Sequence, residues 1–159
     1  IVVRLVGSEM CIRDRYSCYE VIDVSALGGV HTLNLSSYKI TDVSALGEVH
    51  TLDLGWCTNI TDVSALGGVH TLDLRSCSNI TDVSALGGVH TLNLSKCYEI
   101  TDESLSALGN VHTLDLSYNQ NITDVSALGG VHTLRLRNCP NITDESLRAL
   151  VNVPNLILS

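Results

Sequence analysis

The chain has 159 residues, a formal net charge of −8 at pH 7 and no phenylalanine. This length allows one domain, and without phenylalanine its core must be built from Leu, Val, Ile and Ala. The acidic balance disfavours nucleic acid as a partner, because nucleic acids bind basic surfaces.

Residues 1–20, IVVRLVGSEMCIRDRYSCYE, do not share the pattern of the remaining chain. Their apolar start is too short to span a membrane, and they lack the long apolar region and small-residue cleavage site of a signal peptide. The string GSEMCIRDR resembles a recurrent peptide that arises when library-adapter DNA is translated. We therefore exclude about the first 17 residues from the fold. The alternative interpretation is an irregular N-terminal cap.

Residues 21–159 consist of seven near-copies of ITDVSALGGVHTLDLSxCxN. Their spacing is 19 or 20 residues, with one interval of 22, and the copies align on Val21, Ile40, Ile60, Ile80, Ile100, Ile122 and Ile142. This period predicts coils that stack and share one core. The Leu-x-Leu alternation in each copy predicts a short parallel strand with both leucines inward. The strands centre on Leu33, Leu52, Leu72, Leu92, Leu114, Leu134 and Leu156.

The Thr-Asp-Val-Ser-Ala-Leu segment predicts a capped helical turn on the opposite side of each coil. A 20-residue copy has room for a 3₁₀ turn, whereas residues 103–108 and 145–150 predict short α-helices. The motif aspartates are expected to cap these turns: Asp23, Asp42, Asp62, Asp82, Asp102, Asp124 and Asp144. The Gly-Gly pair predicts a tight turn whose second position is left-handed. Glu48 occupies that position in one copy, although glutamate disfavours a left-handed backbone.

These repeats resemble the leucine-rich repeat superfamily over residues 21–159. ITDVSAL resembles the short repeats of bacterial internalins, and LxLxxCxxITD with DESLxAL resembles the cysteine-containing repeats of F-box proteins. The resemblance implies an α/β solenoid: a leucine-rich repeat horseshoe with a parallel concave β-sheet and convex 3₁₀ or short helical turns. It also implies a noncatalytic protein–protein interaction scaffold.

The cysteine position of the repeat holds a thiol in four copies and Asn119 in a fifth. Parallel Cβ vectors disfavour disulfides between neighbouring coils. We therefore predict small, buried, reduced side chains that bond backbone groups: Cys57, Cys77, Cys97 and Cys139. Reduced cysteines favour a cytoplasmic location.

One histidine in each of six copies predicts a row with a spacing of about 5 Å: His31, His50, His70, His90, His112 and His132. Metal ligands must converge on one point, and parallel side chains do not, so we assign no metal or other cofactor. Ser, His and Asp recur at offsets that lie on different faces of a coil, and a catalytic triad needs them in one pocket. We therefore expect no enzymatic activity.

Sequence variation is concentrated at the outward positions around each predicted strand, the face with which solenoids bind partners. Trp56 and Tyr118 are the expected aromatic anchors, and the arginines are the expected polar contacts. The candidate partner-binding residues are Asp53, Trp56, Asp73, Arg75, Lys96, Asp115, Tyr118, Arg135 and Arg137.

Three functions remain open at this stage. The first is substrate recognition in an F-box-type ubiquitin ligase or a similar intracellular scaffold. The second is an internalin-like surface adhesin. The third is a recent repeat expansion without a specialised partner, which the near-identity of the copies favours. Polar end caps are missing from the pattern, so we expect an array truncated at both ends and end-to-end self-association.

Overall fold

The computed structural model describes residues 23–35 and 40–159. The segment 1–20, the first repeat position Val21 and the outward positions Ser36 and Ser37 lie outside the described residues. Each coil is numbered here after its strand and comprises that strand with the helical turn before it.

Seven three-residue strands form one parallel sheet in chain order, β1 to β7. The leucine at the centre of each strand pairs with the leucine of the next, for example Leu52 with Leu72, so the predicted strand centres are confirmed. Because neighbouring coils differ little in sequence, each strand repeats the register of the one before. The strands are Thr32–Asn34, Thr51–Asp53, Thr71–Asp73, Thr91–Asn93, Thr113–Asp115, Thr133–Arg135 and Asn155–Ile157.

The opposite side of the array carries the helical turns. The 3₁₀ helices span Ser25–Leu27, Ser44–Leu46, Ser64–Gly68, Ser84–Gly88, Ser106–Asn110 and Ser126–Leu128. The two DESL copies each form a short α-helix, α1 (Asp102–Leu105) and α2 (Asp144–Arg148), because their extra residues complete an α-helical turn. The predicted division between 3₁₀ and α-helical turns is therefore confirmed.

One continuous apolar core runs through the array between the sheet and the helical turns. Both leucines of each inner strand motif face it, and Leu52 and Leu54 are 1% and 0% exposed. An isolated coil would leave these side chains in water, so burial of apolar area between neighbouring coils is what stabilises the fold.

The motif aspartates cap the 3₁₀ turns. In five coils a carboxylate Oδ1 accepts the backbone N–H two residues later, as Asp62 does from Ser64 at 2.9 Å. The Ser64 N–H holds the pKa of the Asp62 carboxyl below its usual value, because a hydrogen bond to the charged form favours it. Asp102 differs: it accepts from the backbone and hydroxyl of Thr123 in the next coil. The capping role predicted for all seven motif aspartates is therefore confirmed for these five. In α2 the Thr143 hydroxyl takes that role and accepts the N–H of Ser146 at 3.3 Å.

The prediction of a left-handed backbone at the second position of the Gly-Gly turn is wrong. Neither Glu48 nor Asn110 at its second position has a positive φ, so Glu48 is not strained. The first glycine is required for a different reason: a Cβ on Gly109 would lie 2.7 Å from the carbonyl oxygen of Ala127 in the next coil. Glycine thus permits close stacking of the coils.

Candidate functional site

The sheet and the turns that follow its strands carry three rows of positions on the partner-accessible side, although Gly55, Ser76 and Ser117 among them are buried. We call the first the inter-leucine row, because it lies between the two leucines of each copy (Asn34, Asp53, Asp73, Asn93, Asp115, Arg135), and the second the post-leucine row (Gly55, Arg75, Ser95, Ser117, Arg137). The third, the left-handed row, consists of Trp56, Ser76, Lys96, Tyr118 and Asn138. The nine candidate residues are distributed over these rows and do not form a single pocket.

The acidic members of the inter-leucine row already make hydrogen bonds within the fold. Asp53, Asp73 and Asp115 are half-buried, and each Oδ1 accepts a backbone N–H two residues later at 2.9 Å. Asn93 accepts from the N–H of Ser95 in the same way. These side chains hold the turn that ends each strand. The sequence predicted partner binding for the aspartates and did not predict this structural role.

Arg75 connects two coils. Its guanidinium lies 3.7 Å from Asp53 Oδ2 and 3.7 Å from Asp73 Oδ2. Burial raises the pKa of the Asp73 carboxyl, opposed by the N–H and the charge of Arg75. The Arg75 side chain is 47% exposed, so solvent screens both ion pairs and they stabilise the fold only slightly. Arg75 can still offer donors to a partner.

The left-handed row has positive φ throughout, with values of 66° at Trp56, 60° at Lys96 and 66° at Tyr118. Bulky L-residues avoid this region, because Cβ approaches the following carbonyl oxygen. Hydrogen bonds to the next coil hold the row: the N–H of Trp56 donates to the Arg75 carbonyl at 2.9 Å, and that of Tyr118 donates to the Arg137 carbonyl at 2.7 Å. The sequence does not reveal these conformations, and Asn138 is the one member whose residue type favours them.

These backbone conformations leave two large aromatic rings in solvent. Trp56 is 47% exposed and Tyr118 is 45% exposed. The Lys96 ammonium lies 5.3 Å from the centroid of the Tyr118 ring, within cation–π range. Trp56 and Tyr118 belong to coils 2 and 5, about 14 Å apart at the usual strand spacing. A partner must therefore be extended to contact both rings.

The basic candidates at the C-terminal part of the sheet differ in exposure. Arg135 is half-buried and Arg137 is exposed. Tyr98, which the sequence interpretation did not select, is 43% exposed. It follows the buried Cys97, beyond the left-handed row, so it offers an exposed ring outside the candidate surface.

The cysteine row lies beneath the candidate surface. The Sγ atoms of Cys57, Cys77 and Cys97 donate to the carbonyl of the leucine that follows the strand of the preceding coil, at 3.1–3.2 Å. Asn119 Nδ2 makes the same bond to Leu94 at 2.9 Å. The predicted backbone-bonding role and the equivalence of Asn and Cys are confirmed. Burial raises the pKa of the Cys97 thiol to about 12 and also raises the pKa of Cys77, so these two thiols are poor nucleophiles.

The histidines stack along the amino-terminal side of the strands. Their ring centroids are 4.5–4.6 Å apart from His31 to His132, as the predicted row requires. Nδ1 of His70 lies 3.3 Å from the Thr71 hydroxyl. Residues 23–35 and 40–159 contain no group of three or more His, Cys, Asp or Glu side chains arranged to hold a metal ion. Nor does any helix in these ranges have the length and apolar character to cross a bilayer.

The repeat geometry matches known proteins. A family model described as Leucine Rich repeat matches residues 89–109 and 110–128. Among solved structures, an internalin (InlF) from Listeria monocytogenes has a TM-score of 0.64 and 26% identity, over 87% of this chain and 44% of that one. Internalin C2 from the same organism has a TM-score of 0.53 and 24% identity, over 85% and 84%.

The functional domain of InlJ, also from Listeria monocytogenes, is described as including a cysteine ladder. It has a TM-score of 0.53 and 16% identity, over 83% of this chain and 35% of its own. No curated protein matches this chain in sequence. The array therefore has the fold of a leucine-rich repeat solenoid, and residues 89–128 are similar to the leucine-rich repeat family model. Its internalin-like fold is that of a protein-interaction scaffold. The chain spans less than half of the InlF and InlJ chains.

Proposed function

We propose that this chain is a noncatalytic recognition module that binds a protein partner along the left-handed row, with Arg135 and Arg137 adjoining it. The observation that carries the proposal is the exposure of Trp56 and Tyr118 in a backbone conformation that is unfavourable for bulky residues. Conformations of this kind cost about 1–3 kcal/mol each and are concentrated at functional sites. Aromatic rings half-exposed on a rigid frame are also typical anchors of protein interfaces.

The left-handed row is rigid before a partner arrives. Each of its inner backbone N–H groups bonds to the next coil, as that of Lys96 does to the Ser117 carbonyl at 3.0 Å. A surface that is already ordered loses little conformational entropy on binding. This supports recognition by a preformed surface.

The charges favour a partner that carries acidic groups beside its apolar contacts. The carboxylates of Asp53, Asp73 and Asp115 already accept backbone N–H groups, whereas Arg137 is exposed at the C-terminal part of the surface. A partner with acidic side chains facing Arg135 and Arg137 would complement this surface. We expect nucleic acid to be excluded, as the net charge suggests.

Of the two specific roles, an internalin-like recognition protein has the better support. The F-box alternative depends on the cysteine position, and the InlJ domain, which has a similar fold, also includes a cysteine ladder. A cysteine ladder is therefore weak support for the F-box role, whereas two solved structures similar to this chain are internalins. The cytoplasmic location inferred from the thiols stays a prediction.

Sequencing the intact transcript separates the two roles. A signal peptide and a surface anchor encoded with the array would support the internalin-like role. An F-box segment joined to the array would replace it with the adaptor role. The binding surface proposed here is common to both.

Mutagenesis tests the surface itself. A binder selected from a displayed protein library against the whole chain serves as the probe, and its affinity is measured for Trp56→Ala, Tyr118→Ala and Arg135→Ala. We expect each aromatic substitution to weaken binding by at least about thirtyfold, the size of an interface hot spot, and Arg135→Ala to weaken it as well. Tyr98→Ala is the matched control, because it removes an equally exposed ring outside the surface.

Circular dichroism verifies that the variants remain folded. Unchanged affinity in both aromatic variants, or a loss in Tyr98→Ala alone, would contradict the proposed surface. Failure to select any binder that depends on the left-handed row would favour the third alternative, a repeat expansion without a specialised partner.

A further inference from the structure

Six imidazoles form a surface that the left-handed row does not include. We call it the histidine row, and its members are exposed side chains, one from each of coils 1 to 6: His31, His50, His70, His90, His112 and His132. Neighbouring ring centroids are 4.5–4.6 Å apart along the whole row. The histidines precede the strands, whereas the left-handed row follows them, so the two rows lie at opposite ends of the strands.

One nitrogen of each ring is available to a ligand. In four coils Nδ1 lies 3.2–3.3 Å from the hydroxyl of the following threonine, as in His70 and Thr71. Nε2 of these rings makes no hydrogen bond with any residue in the ranges that the structure describes. A protonated imidazole donates from both nitrogens. Each protonated ring can therefore offer Nε2–H to an acceptor and keep its contact with threonine.

The histidine row has no acidic partner in residues 23–35 and 40–159. No carboxylate oxygen there lies within 4.0 Å of its ring nitrogens, since the ion pairs are the two of Arg75. The acidic residue nearest in sequence is Glu48, two residues before His50. Three aspartates follow their histidines by three residues, but their carboxylates accept backbone N–H groups at the carboxyl ends of the strands: Asp53, Asp73 and Asp115.

The other groups that face the row supply no negative charge either. Each inner ring lies between the rings of the adjacent coils. In coil 6 a cation, Arg135, takes the place of the aspartate, and Asn155 Nδ2 of coil 7 lies 3.4 Å from His132 Nδ1. The fold therefore does not neutralise the charge that protonation gives the row. Because like charges at this spacing repel each other, each proton that the row takes up makes the next less favourable.

We propose that the histidine row, once protonated in mildly acidic solution, binds an extended acidic peptide segment. The segment lies along the row, and its carboxylates accept charge-assisted hydrogen bonds from the Nε2–H groups. These carboxylates also reduce the repulsion between neighbouring imidazoliums. Binding and protonation are therefore linked: a segment that binds the protonated row draws further protons onto it. This surface is separate from the left-handed row and does not depend on the function proposed for it.

The linear form of the row favours a chain of carboxylates over a single anion. One exposed imidazolium–carboxylate pair contributes little to affinity, so several pairs must form together. Residues of an extended peptide advance about 3.3 Å each, so six consecutive glutamates cover about four histidines of the row. At neutral pH the imidazoles are largely uncharged, and the net charge of −8 repels such a segment. Acidification therefore determines when the segment binds.

A labelled hexaglutamate peptide, with hexaglutamine as its neutral counterpart, serves as the probe of the whole chain. Fluorescence anisotropy in low salt measures its affinity at pH 7.5 and pH 5.5, and glutamate is ionised at both. Two double variants remove two imidazoles each. His70→Gln/His90→Gln leaves at most two histidines in any run of four coils. His31→Gln/His132→Gln leaves four histidines in consecutive coils, so it is the matched control.

We expect the parent chain to bind hexaglutamate at least about tenfold more tightly at pH 5.5 than at pH 7.5, which needs about two or three exposed pairs. His70→Gln/His90→Gln should lose most of this gain, because no run of four imidazoles remains. The control variant should keep the gain to within about threefold, because one of the three runs of four remains. Circular dichroism at pH 5.5 verifies that both variants are folded.

Proton NMR of the histidine rings gives a second test that needs no variant. Because binding and protonation are linked, hexaglutamate should move the titration of the histidine row to higher pH, and hexaglutamine should not. A titration that hexaglutamate leaves unmoved would contradict the proposal.

Four results of the anisotropy experiment would also overturn it. Equal affinity of the parent chain at both pH values would show that protonation does not control binding. Equal losses in the two double variants would show that a continuous row is not needed. Equal binding of hexaglutamine would show that the row does not recognise carboxylates. Tighter acid-dependent binding to vesicles that contain anionic lipid than to hexaglutamate would assign the row to a membrane surface.

Discussion

Gly67 lies so close to the carbonyl oxygen of Ala85 in the next coil that a Cβ atom on Gly67 would overlap that oxygen. Here the glycine sets the distance between coils and does not serve as a flexible turn. The same contact recurs along the array. Alanine substitutions at the equivalent glycines should therefore lower the free energy of unfolding more where the distance from Cβ to the carbonyl oxygen is shorter.

We predict that Gly67→Ala lowers the free energy of unfolding by about 1–3 kcal/mol, the cost of overpacking a close-packed interior. Gly109→Ala should cost less, because its Cβ would be 2.7 Å from the Ala127 oxygen, and Gly129→Ala should cost least, at 3.2 Å from the Ala149 oxygen. Urea unfolding of the three variants measures the order. Equal costs, or a stabilised Gly67→Ala, would contradict this account of stacking.

Asn119 fills a position that a thiol fills elsewhere. Its Nδ2 donates to the Leu94 and Leu116 carbonyls at 2.9 Å, while its buried Oδ1 has no hydrogen-bond partner among the described residues. Asn119→Ala should cost about 1–3 kcal/mol, because it leaves buried carbonyls without their donor. Asn119→Cys should cost much less, because a thiol keeps the inter-coil bond and removes the unpaired oxygen.

Thermal unfolding of both variants tests this substitution pair. The informative result is the difference between Ala and Cys, since both remove the amide and are smaller than Asn. If Asn119→Cys were as destabilising as Asn119→Ala, the backbone bond would not be what the cysteine row contributes.

The histidine row predicts a dependence of stability on pH. Burial and the neighbouring His112 and His70 lower the pKa of His90 below 6.5. The unfolded chain therefore takes up a proton at higher pH than the folded chain. The contribution of His90 to the free energy of unfolding is present above pH 6.5. It is lost as the pH falls from 6.5 through the lowered pKa of His90 in the folded chain.

Denaturant unfolding at pH 7.5 and at progressively lower pH measures this loss. Acidification should lower the free energy of unfolding of His90→Gln less than that of the parent chain, because the substitution removes the histidine whose pKa is lowered. His31→Gln is the control, since His31 stacks on one histidine, His50, within the part of the chain that the structure describes. An identical acid dependence in the parent chain and His90→Gln would contradict the interpretation.

The thiols should react in an order set by burial. Burial raises the pKa values of Cys77, Cys97 and Cys139, and Cys139 is the one that is not fully buried. In a Cys11→Ser/Cys18→Ser background at pH 8, an alkylating reagent should label Cys139 first, because the thiolate is the nucleophile and must be reached. Mass spectrometry of timed samples gives the order, and equal rates at all four sites would show that the array opens readily.

Much of the fold could be predicted because one pattern repeats. The alternation around Leu52 and Leu72 determined the strands and their register, and the extra residues of the DESL copies predicted α1 and α2. The role of the first glycine could not be predicted, because it depends on a distance between coils. The second Gly-Gly position was misassigned because residue preference was taken as evidence of backbone conformation.

The candidate surface was predicted only in part. Outward variation predicted that Trp56 and Tyr118 are exposed, since exposed positions are free to differ between copies, and the structure confirms their exposure. Their role in binding stays a prediction. The positive φ of Trp56 was not predictable from a residue type that disfavours it. Asp53 and Asp73 were selected for their charge, but their carboxylates also hold the turns that end the strands, a function that appears only when backbone N–H positions are known.

Hydroxyl-radical footprinting of the chain with and without a selected protein binder tests recognition through the left-handed row, because it reports on the aromatic side chains themselves. We expect oxidation of Trp56 and Tyr118 to fall on binding and that of Tyr98 to stay unchanged. Protection of Tyr98, with Trp56 and Tyr118 oxidised as in the free chain, would place the partner elsewhere and contradict recognition through the left-handed row.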